Sequence, residues 1–322
     1  MSKLFVKQTI KHVSEGLRIY IGKKGVKSLH KFLRAIGFSK FDTRKKVQSL
    51  VKACVLDATE KNFTTNGDDT MLAEYCKDFS PYFGIAVCGE LSDDNNKFSY
   101  DYYYPYIKTD KISTYEDINI ERHAAKESYA GICDDIRVGV SLIFYLQNMI
   151  DYVQIKNSNR LPVRGTSLCL SALSVDGMIM MPISKSEKQR ETIRKKTNNR
   201  YRLIQAAREG DEKAIESLTL DDMDTYSSIS KKIRNEDIFS IVDSYFMPYG
   251  VECDQYSVLG EITECMKVKN ELTGESVYLM NIDCNELCFD LCINEKDVYG
   301  EPEIGRRFKG FIWLQGYINF PV

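Results

Sequence analysis

The sequence predicts an α+β protein: an antiparallel sheet with helices in the N-terminal half, a helical connector, and a small C-terminal domain that is β-barrel-like. Three observations predict this class. Apolar residues recur at helical spacing near the N-terminus, short turns then join alternating strands, and strand patterns dominate after residue 256. The last strands follow an order close to that of an OB-fold, which other small barrels also fit. We place the basic extension, the first domain, the connector and the last domain at 1–28, 29–184, 185–236 and 237–322.

The composition is that of an ordinary globular protein. The chain has 322 residues, of which 43% are hydrophobic and 28% charged, and its formal net charge is −2. Proteins that bind nucleic acid or anionic membranes usually carry a positive excess, so we expect neither partner. No apolar run approaches the roughly 18 residues of a membrane-spanning helix, and the start has no signal-peptide stretch. We therefore expect a cytoplasmic protein whose ten cysteines are reduced thiols.

Residues 1–28 differ from the rest of the chain in charge. They hold seven Lys or Arg and one Glu, a net charge of +6. Three interpretations fit: a solvated basic helix, a helix lying on a membrane surface, or a segment outside the native protein. For the third, residues 24–26 can be encoded by a purine-rich string that resembles a bacterial ribosome-binding site. Leu29 can be encoded by the alternative start codon TTG, and on this hypothesis translation begins there.

Short helices and hairpins are predicted in the first domain. Helices are expected at 29–36 and 42–58, because Gly37 can take the left-handed conformation that ends a helix and Asp42 or Thr43 can cap the next one. Strands at 82–91 and 98–106 flank the polar turn SDDNN and should form a hairpin. A second hairpin is predicted at 175–177, because Asp-Gly between apolar runs suits a tight turn.

The connector begins with a basic run. Residues 185–202 carry a net charge of +6, which is typical of a solvated linker or helix face and could also contact phosphate. Helices should follow, since Gly210 can end one and Asp211 can cap the next.

The final strand pattern, GRRFKGFIWLQGYINF at 305–320, carries large rings on both faces. An ordinary half-exposed strand is apolar on one face only. Leaving Phe311, Trp313 and Tyr317 in water would forgo about 1.5–3 kcal/mol of burial each. The pattern therefore favours a second face packed inside the molecule over an open ligand surface. Residues 251–322 also carry a net charge of −7, which disfavours oligonucleotide binding even by an OB-like barrel.

Three segments together resemble an uncharacterised bacterial family. They are HKFLRAIGFSKF at 30–41, FSIVDSYFMPYGVECDQYSVLGEI at 239–262 and GEPEIGRRFKGFIWLQGYINF at 300–320. The family is found in anaerobic Gram-positive bacteria and carries a domain-of-unknown-function label, and the resemblance runs from about residue 29 to the end. In such proteins the equivalent of His30 commonly follows the initiator residue. The resemblance implies no activity that could be assigned to residues of this chain.

The sequence contains no familiar catalytic or cofactor motif. It has no Gly-rich phosphate loop, dinucleotide fingerprint, His-Glu-x-x-His or Gly-x-Ser-x-Gly, and only three histidines. Cys284, Cys288 and Cys292 would share one face of a helix, but their neighbours predict strands and no Cys-x-x-Cys pair is present. We interpret these thiols as buried small hydrophobic groups, and we predict neither a metal site nor a cofactor.

Aromatic residues supply the candidate contact surface. Phe98, Tyr100, Tyr102, Tyr104 and Tyr106 alternate along one strand, so five rings are expected on one face. Such a row can anchor a partner protein or pack under the helices.

Our reading of function is a non-enzymatic binding or regulatory module that contacts another protein or a second copy of itself. We predict Trp313, Tyr317, Tyr102 and Tyr104 as contact residues, with Arg307 as a further ligand or partner contact. The alternative is an enzyme or sensor that binds a small molecule in a cleft between the domains, where Glu252, Asp254 and Arg307 would converge. A third class, a nucleic-acid binder that uses 185–202, predicts binding that weakens steeply with salt.

Overall fold

The computed structural model describes residues 18–20, 29–65, 71–92, 97–123, 128–135, 137–161, 165–183, 195, 199–207, 209–232, 241–251 and 253–321. The first of two sheets contains β1 (Arg18–Tyr20), β2 (Glu60–Thr65), β3 (Met71–Ser80), β4 (Phe83–Ser92) and β5 (Lys97–Ile107), in the order β1-β5-β4-β3-β2. Its neighbours are antiparallel except for β1 and β5. The hairpin predicted at 82–91 and 98–106 is confirmed as β4 and β5. Residues 18–20 form strand β1, where a solvated basic helix was one expectation, and the rest of the segment 1–28 lies outside the described residues.

Two helices precede β2, and the longer one covers one face of the first sheet by packing on β3 and β4. They are a 3₁₀ helix (Lys31–Ile36) and α1 (Arg44–Leu56), whose residues at helical spacing are buried. Gly37 ends the first at φ 91°, and the Thr43 side chain accepts a hydrogen bond from the Lys46 backbone N–H (3.4 Å). Local spacing and capping rules therefore placed both helices correctly, and the Gly37 stop and the Thr43 cap are confirmed.

The second sheet includes a closed barrel. Its strands are β6 (Ile118–Arg122), β7 (Tyr129–Cys133), β8 (Leu142–Leu146), β9 (Ser167–Met180), β10 (Tyr245–Pro248), β11 (Gln255–Lys269), β12 (Ser276–Cys284), β13 (Leu287–Asn294), β14 (Val298–Tyr299) and β15 (Arg307–Asn319). The order is β10-β11-β12-β13-β9-β15-β8-β7-β6, with β14 beside β9. Because β11 also pairs with β15, the strands β11, β12, β13, β9 and β15 close into a barrel. The predicted α+β class with a barrel-like C-terminal domain is confirmed.

The hairpin predicted at 175–177 is wrong. β9 is one continuous strand that pairs with β15, and the register shifts where Phe311 faces Asp176 and Ile312 faces Ser174. Val175 is the extra residue of a bulge, so the Asp-Gly pair bends a strand instead of reversing it. Glycine is required at 177 because a Cβ there would lie 2.4 Å from the Phe308 ring. Since β9 also pairs with β13, one barrel strand comes from ahead of residue 185 and four come from after 237.

Helices between β9 and β10 match the sequence prediction where the structure describes them. Residues 199–207 are helical, Gly210 has φ 92°, and α3 spans Glu212–Lys232. Asp211 Oδ1 accepts hydrogen bonds from the backbone N–H groups of Lys213 (2.9 Å) and Ala214 (3.3 Å), which confirms the predicted cap. Most of the basic run 185–202 lies outside the described residues. In the described ranges we find no helix with the length and apolar character needed to cross a bilayer.

Buried amides join the first sheet to the barrel. Gln147, which precedes helix α2 (Met149–Asn157), donates to Gln315 Oε1 (2.8 Å) and Ser171 Oγ (3.1 Å). Gln315 in turn donates to the Pro105 carbonyl on β5 (2.8 Å). Buried polar groups that satisfy one another in this way hold their elements in one arrangement. β5, the start of α2 and β15 are thereby held against each other.

Candidate functional site

A cavity of about 540 Å³ opens where the first sheet meets the start of α2 and the end of β15. Its base is formed by buried residues and its rim by exposed ones. The walls come from β2, β3, β5, the loop after β5, the start of α2 and β15. The lining residues are Glu60, Asn62, Glu74, Cys76, Tyr104, Tyr106, Lys108, Thr109, Asp110, Gln147, Asn148, Ile150, Asp151, Tyr317 and Asn319.

Glu74 is the main titratable group at the base of the cavity. Glu74 is only 4% exposed. Burial raises its pKa from the ordinary 4.5 to about 7, while hydrogen bonds from Tyr104 and Cys88 oppose the rise. Glu74 Oε1 accepts from the Tyr104 hydroxyl (2.9 Å) and from the Cys88 thiol (3.6 Å). The group therefore changes charge near neutral pH, which is unusual for a carboxylic acid.

The Tyr104 hydroxyl couples Glu74 to the start of α2. It lies 2.9 Å from Glu74 Oε1 and 2.9 Å from the Gln147 carbonyl oxygen. Burial, and next the charge of Glu74, raise the pKa of Tyr104, so the phenol keeps its proton. When Glu74 is ionised the phenol can donate to the carboxylate. When Glu74 is protonated the carboxylic acid can donate to the phenol oxygen, which then donates to Gln147.

The sheet register brings these side chains to one face. Across β3, β4 and β5, Glu74 pairs with Cys88 and Cys88 pairs with Tyr102. Two residues further along, Cys76 pairs with Ala86 and Ala86 pairs with Tyr104. Directly paired residues share a face, and alternate residues along a strand return to it. Tyr102, Tyr104 and Tyr106 therefore lie on the cavity side of the first sheet, with Glu74.

The expectation of five rings on one face is wrong. The register of β4 and β5 shifts between Cys88, which faces Tyr102, and Gly89, which faces Tyr100. Asp101 is the extra residue of this bulge, and it reverses the alternation of faces. Phe98 consequently contacts Tyr75 on the helix-covered face, with ring centroids 4.8 Å apart. Phe98 and Tyr100 thus lie on the opposite face from the three later tyrosines.

Carboxylates outnumber cations around the cavity. The part of the lining that the structure describes holds the carboxyl groups of Glu60, Glu74, Asp110 and Asp151 and one lysine, Lys108. The Lys108 ammonium is 2.7 Å from Asp78 Oδ2, and Asp78 also accepts from the Tyr106 hydroxyl (2.6 Å). The lysine charge is thus matched by a further carboxylate, and the cavity presents a negative potential.

The predicted contact residues are distributed over different parts of the molecule. Tyr104 lines the base of the cavity and Tyr317, 39% exposed, lines its rim. Tyr102 is buried beside Tyr104, with ring centroids 6.5 Å apart. Trp313 and Arg307 are also buried, but they lie elsewhere on β15.

Trp313 belongs to the core between the barrel and the N-terminal segment. It is 5% exposed and its ring lies 4.7 Å from His30, 5.5 Å from Phe32 and 5.2 Å from Tyr145. Its indole Nε1 donates to Asp254 Oδ2 (2.7 Å). On the same face of β15, Phe311 and Tyr317 remain partly exposed. The second aromatic face is therefore divided between core and surface.

The convergence of Glu252, Asp254 and Arg307 that the alternative required does not occur in the described residues. Asp254 lies beside Trp313, whereas Arg307 pairs with Glu261 at the far end of β15. The six residue steps from Arg307 to Trp313 span about 20 Å of strand. Arg307 donates to the backbone carbonyls of Met181 (3.0 Å) and Val242 (2.9 Å). Glu252 lies outside the described residues.

Two of the three cysteines of the 284–292 segment are interior groups as predicted, whereas Cys288 is partly exposed. Cys284 and Cys292 are buried in strands, and burial raises the pKa of both thiols. Cys292 donates to the Ala35 carbonyl (3.3 Å) and Cys284 to the Tyr245 carbonyl (3.2 Å). Within the ranges that the structure describes, no group of three or more His, Cys, Asp or Glu side chains could hold a metal ion.

Sequence reasoning missed Glu74 and the cavity. One local signal was available: Glu74 alternates with the apolar residues Leu72 and Cys76, which places it on a face that a strand would bury. The other walls come from segments that are distant in sequence, such as 147–151 and 317–319. Only the pairing of strands brings them together.

Comparison with known proteins gives one match. The model of a protein family described as "Domain of unknown function, E. rectale Gene description" matches residues 33–316, in agreement with the resemblance found in the sequence. No curated protein and no solved structure matches the chain.

Proposed function

Because the chain belongs to this family, DUF3881, whose description states no activity, we propose a function from the site itself: the protein is a module that binds a small polar molecule in the cavity beside Glu74. The observation that carries the proposal is an open polar cavity of about 540 Å³ with a buried titratable carboxyl group at its base. Ligand pockets commonly have volumes of about 300–1,000 Å³ and a few convergent polar groups.

Binding is favoured over covalent catalysis by the chemistry of the lining. Among the described residues the cavity lining contains no histidine or serine, and its thiol, Cys76, has a pKa that burial raises far above the ordinary value. A thiol held in this state is a poor nucleophile. We place the module in the cytoplasm, which the free state of all ten cysteines supports.

Blocking the cavity mouth tests this proposal. Thr109 lies at the rim, so Thr109→Trp should fill the entrance without altering the buried base. Wild-type protein incubated with a bacterial metabolite extract should retain a small molecule in native mass spectrometry, and the variant should lose about 90% or more of it, equivalent to a tenfold loss of affinity. The control is Thr219→Trp on the exposed surface of α3. Equal retention by wild type and Thr109→Trp, or no retained molecule at all, contradicts the proposal.

A second candidate function, contact with another protein, is favoured by an apolar surface on the barrel. Tyr299 is 81% exposed and pairs directly with the exposed Met178 across β14 and β9. Large exposed rings beside flexible Met side chains are common in protein interfaces. This surface lies outside the cavity lining, so the two functions are compatible.

Removing the Tyr299 ring tests the second function. If the surface binds a second copy of the chain, Tyr299→Ser should weaken association by about 10-fold or more, as loss of an aromatic anchor does. Analytical ultracentrifugation over a range of protein concentrations measures this. Tyr115→Ser, at another exposed tyrosine, is the matched control. Unchanged association of Tyr299→Ser, or equal weakening in both variants, excludes this surface as the self-association contact.

A further inference from the structure

We propose that the ligand of the cavity is a small aliphatic amine, whose ammonium group is bound at Glu74. This inference rests on the proposed function and narrows it to one chemical class. It is carried by the cavity, by the hydrogen-bonding state of its walls, and by the balance of charge around it.

The first step concerns the buried carboxylate. Glu74 is 4% exposed and faces the cavity, and in the described residues it has no ion-pair partner. Its side-chain hydrogen bonds come from neutral groups: the Tyr104 hydroxyl, the Cys88 thiol and the Asn62 amide. A buried charge is costly unless a counter-charge and hydrogen bonds compensate it. The protein supplies the hydrogen bonds, and a bound ammonium would supply the counter-charge.

The second step concerns hydrogen-bond donors. The amide side chains of the walls already donate to acceptors of the protein. Asn148 Nδ2 donates to Asp151 (3.1 Å) and to the Ile318 carbonyl (2.9 Å), and Gln147 Nε2 donates to three acceptors in the core. Asn62 donates to Glu60 (3.2 Å), and Asn319 donates to Ser167 (3.0 Å). A ligand therefore has to bring its own donors, and an ammonium brings three.

The third step concerns the charge at the rim. Burial is the largest cause that raises the pKa of Tyr317, and the negative charges of Asp151 and Glu60 raise it further. Both acids therefore lie close to this ring. Lys108 is bound to Asp78 and cannot serve as an anion site without losing that ion pair. Anionic ligands would meet these carboxylates at the entrance, whereas cations would be attracted. The exposed Tyr317 ring can add a cation–π contact.

Isosteric probe sets test the ligand class. Wild-type protein at pH 8, where Glu74 is ionised, is titrated calorimetrically with α,ω-diamines and monoamines of two to six carbons, and with the diols and dicarboxylic acids of the same lengths. Binding is expected in the amine sets alone. Glu74→Gln keeps the side-chain shape and should weaken amine binding roughly 10- to 100-fold, the usual effect of removing a charged hydrogen-bond partner. Glu121→Gln, on exposed β6 outside the cavity, is the charge-matched control.

The outcomes separate this inference from the proposed function. Diols or dicarboxylic acids that bind as tightly as amines overturn the amine assignment and leave a binding cavity. Amine binding that Glu74→Gln does not change overturns the role of Glu74. A metabolite retained by the wild type and lost from Thr109→Trp, but lacking a basic nitrogen, also overturns the assignment. If neither extract nor any probe set yields a bound molecule, the proposed function fails as well.

Discussion

Trp313→Ala is expected to lower the free energy of unfolding by about 3–5 kcal/mol, as large-to-small changes at buried rings do. The ring fills the space between β15, β8 and the N-terminal 3₁₀ helix, in contact with His30, Phe32 and Tyr145. Its removal leaves a cavity and also leaves Asp254 without the indole N–H. Urea denaturation followed by circular dichroism measures the change, since intrinsic tryptophan fluorescence is lost with the single Trp.

Phe311→Ala provides the control for Trp313→Ala. Phe311 lies on the same strand but is 36% exposed, and its ring contacts Tyr249 with centroids 4.0 Å apart. We expect this change to cost less than about 1.5 kcal/mol, the scale of one aromatic pair. A Trp313→Ala protein with unchanged unfolding and weakened association would show that the indole serves an interface instead of the core.

The second large effect concerns pH. Glu74 has a pKa of about 7 in the folded protein, above its ordinary 4.5, because burial disfavours the charged form. Between these values the folded state binds more protons than the unfolded state, so stability falls as the pH rises from 4.5 to 7. The shift corresponds to a loss of about 3 kcal/mol across this window. Below pH 4.5 the contribution of a protonated Glu74 is fully present.

Glu74→Gln isolates this contribution. Because the variant cannot ionise at position 74, its free energy of unfolding should not show the fall with rising pH that Glu74 causes. The variant should therefore be more stable than the wild type, most clearly at pH 8. Chemical denaturation of both proteins at pH 4.5, 6 and 8 measures the difference. Parallel profiles for the two proteins would show that Glu74 titrates at its ordinary value and is not buried as described.

Local rules predicted the helices and their ends. Gly37, Thr43 and Asp211 act through neighbours within four residues, so spacing and cap chemistry were sufficient. The strand bulges at Asp101 and Val175 could not be predicted in this way. Each depends on which residue of a partner strand lies opposite, Cys88 in one case and Ile312 in the other. The bulge at Asp101 puts Tyr102, Tyr104 and Tyr106 on the opposite face from Phe98 and Tyr100, and the bulge at Val175 stands where a hairpin was predicted.

The site was less accessible to prediction than the fold. The aromatic pattern predicts Tyr104 and Tyr317 as contact residues, and the structure brings both to the cavity. The sequence does not single out Glu74, because a lone acid in a strand has no motif and its significance comes from its burial at the base of the cavity. Trp313 carried the strongest sequence signal as a large ring on an unexpected face, and the structure shows it among core rings.

The central claim is that Glu74 is a buried carboxylate that faces a cavity and has no cationic partner among the described residues. Carbon-13 NMR of protein labelled at the glutamate side-chain carboxyl carbon tests it directly, with Glu74 assigned by its absence in Glu74→Gln. We expect a resonance that titrates near pH 7 in the free protein, and a lower pKa when amines saturate the cavity, because a cation favours the charged form. A Glu74 resonance that titrates near 4.5 and does not respond to amines would contradict it.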